Sequence, residues 1–156
     1  MKLLILSDSH GRVDALRAAV EREQPERVFH LGDVLGDARG LAKIFPELPI
    51  DMVAGNCDGG VDVPAERTVT VEGVRFLLTH GHRYWVKLGT GKLRSRAEEE
   101  GVNMVCFGHT HIAQCQLCSG GLWMVNPGTA GGVGAQATYA VAWAENGTVK
   151  AELRRL

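Results

Sequence analysis

The stretch KLLILSDSH, residues 2–10, joins a short apolar run to a cluster of polar side chains. The run KLLIL is typical of a strand that is buried on both faces of a parallel sheet. Residues 12–24 follow with apolar side chains at helical spacing, and Pro25 ends that segment. A strand followed directly by a helix begins a βαβ unit, so this stretch predicts an α/β fold.

The alternation continues through the first third of the chain and then gives way to hairpins. In chain order the pattern predicts a strand at 27–31, a helix at 41–45, a strand at 50–54, a hairpin at 68–79, a helix at 91–100, a strand at 102–107 and four further, mostly antiparallel strands beyond it. No linker or repeat interrupts the pattern. We therefore expect one domain over residues 1–156, with either one large mixed sheet or two packed sheets.

The composition excludes several classes of protein. The chain of 156 residues has a net charge of −1, with 45% hydrophobic and 22% charged residues. These values are ordinary for a globular protein and disfavour a disordered chain or a generally basic nucleic-acid binder. No apolar run approaches the roughly 18 residues that a bilayer crossing needs, and the N-terminal run is too short for a secretion signal. We expect a cytoplasmic protein with four reduced cysteines.

Polar side chains follow five of the predicted apolar strands at the point where each strand ends. In chain order they are Asp8 and His10, Asp33, Asn56, His80, and His109 with His111. The carboxyl ends of parallel strands share one edge of a sheet, and ligands bind at that edge. The sequence therefore predicts that these seven side chains lie close together.

The seven side chains have the chemistry of metal ligands. Their mixed oxygen and nitrogen atoms suit divalent cations such as manganese, iron, zinc or magnesium. In Asp8-x-His10 and His109-x-His111, extended backbone would turn both members of each pair to the same side. Seven ligands are more than one ion takes, but two ions that share a carboxylate need that many. Asp33, which follows the turn-forming Gly32, is the predicted bridge.

These motifs resemble the motif series of the calcineurin-like metallophosphoesterases, in particular the small single-domain bacterial and archaeal phosphodiesterases. The matching motifs are Asp8-x-His10, Gly32-Asp33, Gly55-Asn56-x-Asp58, His80-Gly81-His82, Gly108-His109-x-His111 and Asn126-Pro127-Gly128-Thr129. The resemblance implies a four-layer αββα sandwich, in which helices flank two mixed sheets. It also implies two divalent ions, with manganese favoured over iron, zinc, nickel and magnesium. By carry-over Asp8, His10 and His111 hold the first ion and Asn56, His80 and His109 hold the second, while Asp33 bridges them.

The chain departs from this family pattern at two places. Cys57 stands where the wider superfamily has a histidine that helps to protonate the leaving group, so the general acid stays open. Residues 130–137 contain no arginine, although the subgroup often has one after its Asn-Pro-Gly element. The remaining candidates are Cys57 itself, His82 as a substrate contact or proton donor, Asp58 as a carboxylate that orients His80 or His109, and Arg12 and Arg83 as phosphate contacts.

The hypothesis for function is hydrolysis of a phosphate ester, above all a diester, by attack of a hydroxide that bridges two metals. A small phosphate ester is the expected partner; a membrane is not, and the absence of a basic groove argues against nucleic acid. A phosphomonoesterase and a non-catalytic scaffold, as in the small subunit of the retromer coat, remain alternatives. Self-association also stays open, because Trp85, Trp123 and Trp143 fit either a core or an interface. His30 is assigned to the core, and Asp37 either caps a helix or supports the site.

Overall fold

The computed structural model describes all 156 residues, with ten strands, three α-helices and one turn of 3-10 helix at His82–Tyr84. In chain order the elements are β1 (Lys2–Leu6), α1 (Val13–Glu23), β2 (Arg27–His30), α2 (Leu35–Ile44), β3 (Ile50–Met52), β4 (Glu66–Val71), β5 (Val74–Thr79), α3 (Gly91–Glu100), β6 (Met104–Cys106), β7 (Gln114–Leu117), β8 (Trp123–Asn126), β9 (Thr138–Glu145) and β10 (Thr148–Arg155). None of the helices has the length and apolar character that crossing a bilayer requires.

The strands form two mixed five-stranded sheets. The first sheet has the order β10-β9-β1-β2-β3, and its strands β1, β2 and β3 are parallel. The second has the order β4-β5-β6-β8-β7, and its strands β5, β6 and β8 are parallel. Of the two arrangements that the sequence left open, two packed sheets is therefore correct. The α/β sandwich that the family resemblance implied is confirmed.

Three apolar cores separate the four layers. Alternate residues of a strand point to opposite faces, so Leu3 and Ile5 pack between the sheets whereas Leu4 and Leu6 pack beneath α1 and α2. In the second sheet, Leu77 packs beneath α3 in the same way. Across the central layer, Phe29 and Phe76 meet edge to face, with ring centroids 5.2 Å apart. Burial on both faces fixes the strands, and with them the positions of the loops at their carboxyl ends.

Helix α2 begins earlier than the sequence pattern predicted. The predicted helix covered residues 41–45, whereas the observed one runs from Leu35 to Ile44. Gly36 and Gly40 concealed its first turns, because glycine is a weak helix former. Asp37 lies in the first turn of this helix rather than at its cap, and its Oδ2 accepts a hydrogen bond from the backbone N–H of Gly11 at 2.7 Å. Of its two interpretations, support for the loop after β1 is the correct one.

Candidate metal centre

Asp8 is held in place by donors from three separate loops. Its carboxylate is fully buried, and Oδ2 accepts hydrogen bonds from Ser7 Oγ at 2.6 Å and from the backbone N–H of His109 at 3.1 Å. Its main-chain carbonyl accepts a third bond from Thr129 Oγ1 at 2.8 Å. With Oδ2 occupied in this way, the second oxygen, Oδ1, is left to face the imidazoles around it.

Four of the predicted ligands form one tight group. Each side chain of the group offers one ligand atom, and these four atoms lie within 4.8 Å of one another. The group consists of Asp8, His10, Asp33 and His111. The Oδ1 atom of Asp8 is 3.1 Å from His111 Nε2 and 3.8 Å from His10 Nε2. These separations are short enough for one cation to bind all four side chains.

The carboxylate of Asp33 lies between two histidines. Its Oδ2 is 3.7 Å from His10 Nε2, and its Oδ1 is 3.4 Å from His80 Nε2. The backbone N–H of Cys57 also donates to Oδ1, at 3.0 Å. One carboxylate thus presents a different oxygen to each of two histidines. This is the geometry that a carboxylate bridging two cations needs.

The histidine rings are oriented as metal ligands usually are. His80 donates from Nδ1 to the carbonyl of Leu31 at 2.8 Å, and His111 donates from Nδ1 to the carbonyl of Val133 at 3.2 Å. In the neutral ring this fixes the lone pair on Nε2, the atom that faces a carboxylate. A lone pair opposite a carboxylate oxygen is repulsive unless a proton or a cation lies between them. The Nε2 atoms of His80 and His10 are also buried without a hydrogen-bond partner. The donor set therefore fits divalent cations.

A second group forms around His80. Its ring centroid lies 5.1 Å from that of His109 and 5.5 Å from that of His82. Asn56, the remaining predicted ligand, follows β3 on the surface. Its amide nitrogen donates to Cys57 Sγ at 3.7 Å and makes no hydrogen bond to another of the seven predicted ligands. The structure therefore brings six of the seven predicted ligands together and leaves the Asn56 side chain at the rim.

The backbone of the ligand loops is strained. Five predicted ligands have positive φ angles between 44° and 70°, a region that residues other than glycine seldom adopt: Asp8, His10, Asp33, His109 and His111. Each such residue costs on the order of 1–3 kcal/mol. The prediction that extended backbone aligns the two i, i+2 pairs is therefore wrong, because all four residues have left-handed backbone conformations. His111 joins Asp8 and His10, whereas His109 lies beside His80.

Two glycines of the motifs are required by close packing. A Cβ atom on Gly55 would collide with Oδ1 of Asp33, and one on Gly108 would collide with Ser7 Oγ and lie 2.7 Å from Asp8 Oδ2. Gly108 follows β6 of the second sheet, and Asp8 follows β1 of the first. The glycine before His109 thus lets the loops of the two sheets meet at the ligands.

Asp58 does not orient a histidine, so that hypothesis is wrong. Its carboxylate is buried and accepts three backbone hydrogen bonds, from the N–H groups of Asp33 at 2.8 Å, Gly55 at 2.9 Å and Leu35 at 2.9 Å. These donors belong to the turns after β2 and β3 and to the start of α2, where amides lack helical partners. Asp58 therefore shapes the turn that presents Asp33, while a main-chain carbonyl orients His80.

The candidate substrate contacts differ in whether their polar groups already have partners within the protein. Arg12 is exposed and forms a two-pronged ion pair with Asp14, with both N···O distances at 2.8 Å, so its guanidinium already has a partner. Arg83 is exposed and has no ion pair. His82 is half-buried, and its Nδ1 lacks a hydrogen-bond partner. Cys57 is exposed, yet partial desolvation of the sulfur and the charge of Asp33 raise the pKa of its thiol, which keeps it protonated at neutral pH.

The electrostatics of the group favour cation binding. Burial would raise the pKa of Asp33, but His80 and the N–H of Cys57 outweigh it and hold that pKa well below its usual range. Burial likewise opposes protonation of His80, but the Asp33 and Asp8 carboxylates outweigh it and raise its pKa. For His109, burial and the charges of His80 and Lys87 lower the pKa to about 4, so its ring is neutral at pH 7. A cation that binds here competes with the proton for the Nε2 lone pair of His80.

Sequence patterns did not indicate several residues that support the ligand loops. His30 is fully buried, accepts from the N–H of Gly32 at Nδ1, and lies 3.2 Å from Ser9 Oγ through Nε2. It therefore ties the loop of Asp8 to the loop of Asp33, besides filling the core. Asn126 donates to the carbonyl of Gly108 at 3.2 Å. The Asn-Pro-Gly-Thr motif was visible in the sequence, but its role as a brace appears only in three dimensions.

Comparison with known proteins decides the family. Residues 1–147 match the model of the calcineurin-like phosphoesterase superfamily domain. The chain belongs to this family. It is 38% identical over 132 residues to a Bacillus subtilis protein named "probable metallophosphoesterase", covering 83% of this chain and 75% of that protein. It is 29% identical over 130 residues to a phosphodiesterase of Methanocaldococcus jannaschii, covering 71% and 74% of the two chains.

Solved structures of this calcineurin-like fold superpose over almost the whole chain. A Streptococcus pneumoniae protein described as a predicted phosphoesterase gives a TM-score of 0.77 at 23% identity, covering 98% of this chain and 97% of its own. A mutant of Vps29 from Entamoeba histolytica gives 0.78 at 18% identity, covering 100% and 99%. At these identities the likeness establishes the fold.

Proposed function

We propose that this calcineurin-like phosphoesterase is a phosphodiesterase that acts with two divalent ions. Manganese is the favoured metal. The observation that carries the proposal is the position of Asp33, whose two oxygens face His10 at 3.7 Å and His80 at 3.4 Å. Asp8, His10 and His111 would hold one ion. His80 and His109 would hold the other, with Asn56 turning inward from the rim to complete its ligands.

The chain's own groups divide the remaining work of hydrolysis. Two bound divalent cations supply activation of water and neutralise the charge that develops on the phosphoryl oxygens. A water oxygen bonds to phosphorus, the bond from phosphorus to the leaving oxygen breaks, and the leaving oxygen takes a proton. His82 is positioned to give that proton, because it lies 5.5 Å from His80 by ring centroid and its Nδ1 has no protein partner. Cys57 is the weaker acid, since its pKa is raised.

Diesters fit the site better than monoesters. A monoester carries a second negative charge on the phosphoryl group, which an arginine near the phosphate usually balances. Here Arg12 pairs with Asp14 and residues 130–137 contain no arginine, so Arg83 is the one candidate phosphate contact without an acidic partner. The relative from M. jannaschii is named a phosphodiesterase, which agrees with this preference. A cytoplasmic location fits the four free thiols, because reducing compartments keep cysteines in that form.

The test compares two chromogenic esters on the same protein. The Mn²⁺-loaded protein is expected to cleave bis(4-nitrophenyl) phosphate with a higher kcat/KM than 4-nitrophenyl phosphate. A chelator should abolish both activities. Faster turnover of the monoester would overturn the diester assignment. Binding of ions without turnover of either ester would favour an interaction protein built on the same fold.

A further inference from the structure

We propose that a cavity beside the metal centre holds one ester arm of the substrate, and that Arg83 binds a second anionic group at the end of that arm. This inference rests on the proposed phosphodiesterase function and narrows its substrate class. The cavity has a volume of about 310 Å³. Below it is called the arm cavity, and its walls are the loops 54–65 and 82–83.

The arm cavity adjoins the predicted ligands on two sides. On one side Asn56 lines it, and the next residue, Cys57, donates its N–H to Asp33. On the other side His82 lines it, with its ring centroid 5.5 Å from that of His80. A phosphodiester bound at the centre therefore has room for one of its two arms here. The volume lies at the lower end of the range for small-molecule sites, so it suits a short arm and not a polymer.

The guanidinium of Arg83 has no hydrogen-bond acceptor within the protein. Arg83 makes no ion pair or hydrogen bond, whereas Arg12, Arg94 and Arg96 all have acidic partners. The single acidic residue in the lining, Asp58, has both oxygens bonded to backbone amides, so its charge is compensated. A carboxylate or phosphate is the group that a guanidinium binds through two parallel hydrogen bonds.

The rest of the lining restricts the chemistry of the arm. Val61, Val63 and Ala65 supply apolar wall in the same cavity as Arg83. An uncharged chain of a few atoms therefore suits this stretch, since a charge against it would lose water without gaining a partner. The substrate class that fits is a diester of a short alcohol bearing a further carboxylate or phosphate.

The experiment uses three 4-nitrophenyl alkyl phosphodiesters whose second arms have equal length and end in a methyl, a carboxylate or an ammonium group. The Mn²⁺-loaded wild type is expected to favour the carboxylate arm over the methyl arm by about tenfold or more in KM, as a charge-assisted hydrogen bond provides, and to disfavour the ammonium arm. In Arg83→Gln the preference should fall to about one. Lys43→Gln is the matched control, because it removes one exposed positive charge at the far end of α2, and it should keep the wild-type preference.

Three other outcomes would each overturn the inference. Equal KM values for the three arms in the wild type overturn the inference and leave the proposed function intact, because turnover itself is observed. If Arg83→Gln raises KM for all three arms alike, Arg83 contacts the scissile phosphate and the arm assignment is wrong. If the loaded wild type cleaves none of the diesters, the proposed function fails and this inference fails with it.

Discussion

The two ends of the parallel strands differ more in chemistry than in shape. At the amino-terminal end, a hollow of about 560 Å³ is lined by Pro25, Pro46 and Pro49 together with apolar and exposed acidic side chains. At the carboxyl-terminal end the cavity beside the ligands is smaller, about 310 Å³, but buried carboxylates and imidazoles converge next to it. Convergent polar groups, and not volume, therefore distinguish the end that holds the candidate metal centre.

Backbone strain follows the same division. Away from the ligands, Glu72 and Asn146 have positive φ values, and each precedes a glycine in a hairpin turn whose local chemistry explains it. At the carboxyl-terminal end, His10 precedes Gly11 in a turn of this kind, closed by the bond from the Arg12 N–H to the Ser9 carbonyl, but Asp8 and Asp33 have positive φ values outside any such glycine turn. Strain there persists because surrounding contacts hold it, as is common at functional sites.

The largest effect is expected for Asp33→Ala. Loss of the carboxylate that faces both His10 and His80 would remove the group that the two proposed ions share. Hydrolysis of bis(4-nitrophenyl) phosphate should fall by roughly a thousandfold in kcat/KM, which corresponds to about 4 kcal/mol. Glu47→Ala, in the hollow at the opposite end, is the control and should keep full activity. Full turnover by Asp33→Ala would refute the assignment.

Two glycine substitutions compare a ligand loop with the surface of a helix by their effects on the free energy of unfolding. Gly108→Ala forces a Cβ against Ser7 and Asp8, so we expect it to lower the free energy of unfolding by about 1–3 kcal/mol. Gly36→Ala places its Cβ in open space on α2 and should raise stability by about 0.5–1 kcal/mol. Urea unfolding of the metal-free proteins measures both. Effects of the same sign and size would mean that the ligand loops are no more tightly packed than the helix surface.

A smaller effect is expected from His30, which joins the two carboxylate loops. Burial lowers its pKa to about 4. Because the unfolded chain binds this proton near pH 6.5, the neutral folded form contributes stability that is complete above that pH and declines as pH falls toward 4. Between pH 7 and 5.5 the wild type should lose about 1 kcal/mol more than His30→Gln.

Urea titrations of the chelated proteins at the two pH values test this prediction. His109, whose pKa is also about 4, contributes equally to both proteins and cancels in the comparison. Identical losses of stability in the wild type and His30→Gln would show that folding does not lower the pKa of His30.

The fold class and the convergence of the candidate side chains at one sheet edge could be predicted from the sequence because both depend on local patterns. Apolar runs such as KLLIL marked the buried strands, and the residue after each run marked the edge. The division of ligands into two groups was beyond local patterns, since it depends on contacts such as the bond from the His109 N–H to Asp8, 101 residues away in the chain. The role of Asp58 was missed for a related reason: its partners are main-chain amides, which sequence does not distinguish.

The number of Mn²⁺ ions that each chain binds tests the central claim most directly. Native mass spectrometry of the wild type reconstituted with Mn²⁺ should find two ions per chain, and Asp33→Ala should retain at most one. One ion or none in the wild type, or two ions in Asp33→Ala, would contradict a centre in which Asp33 serves both sites.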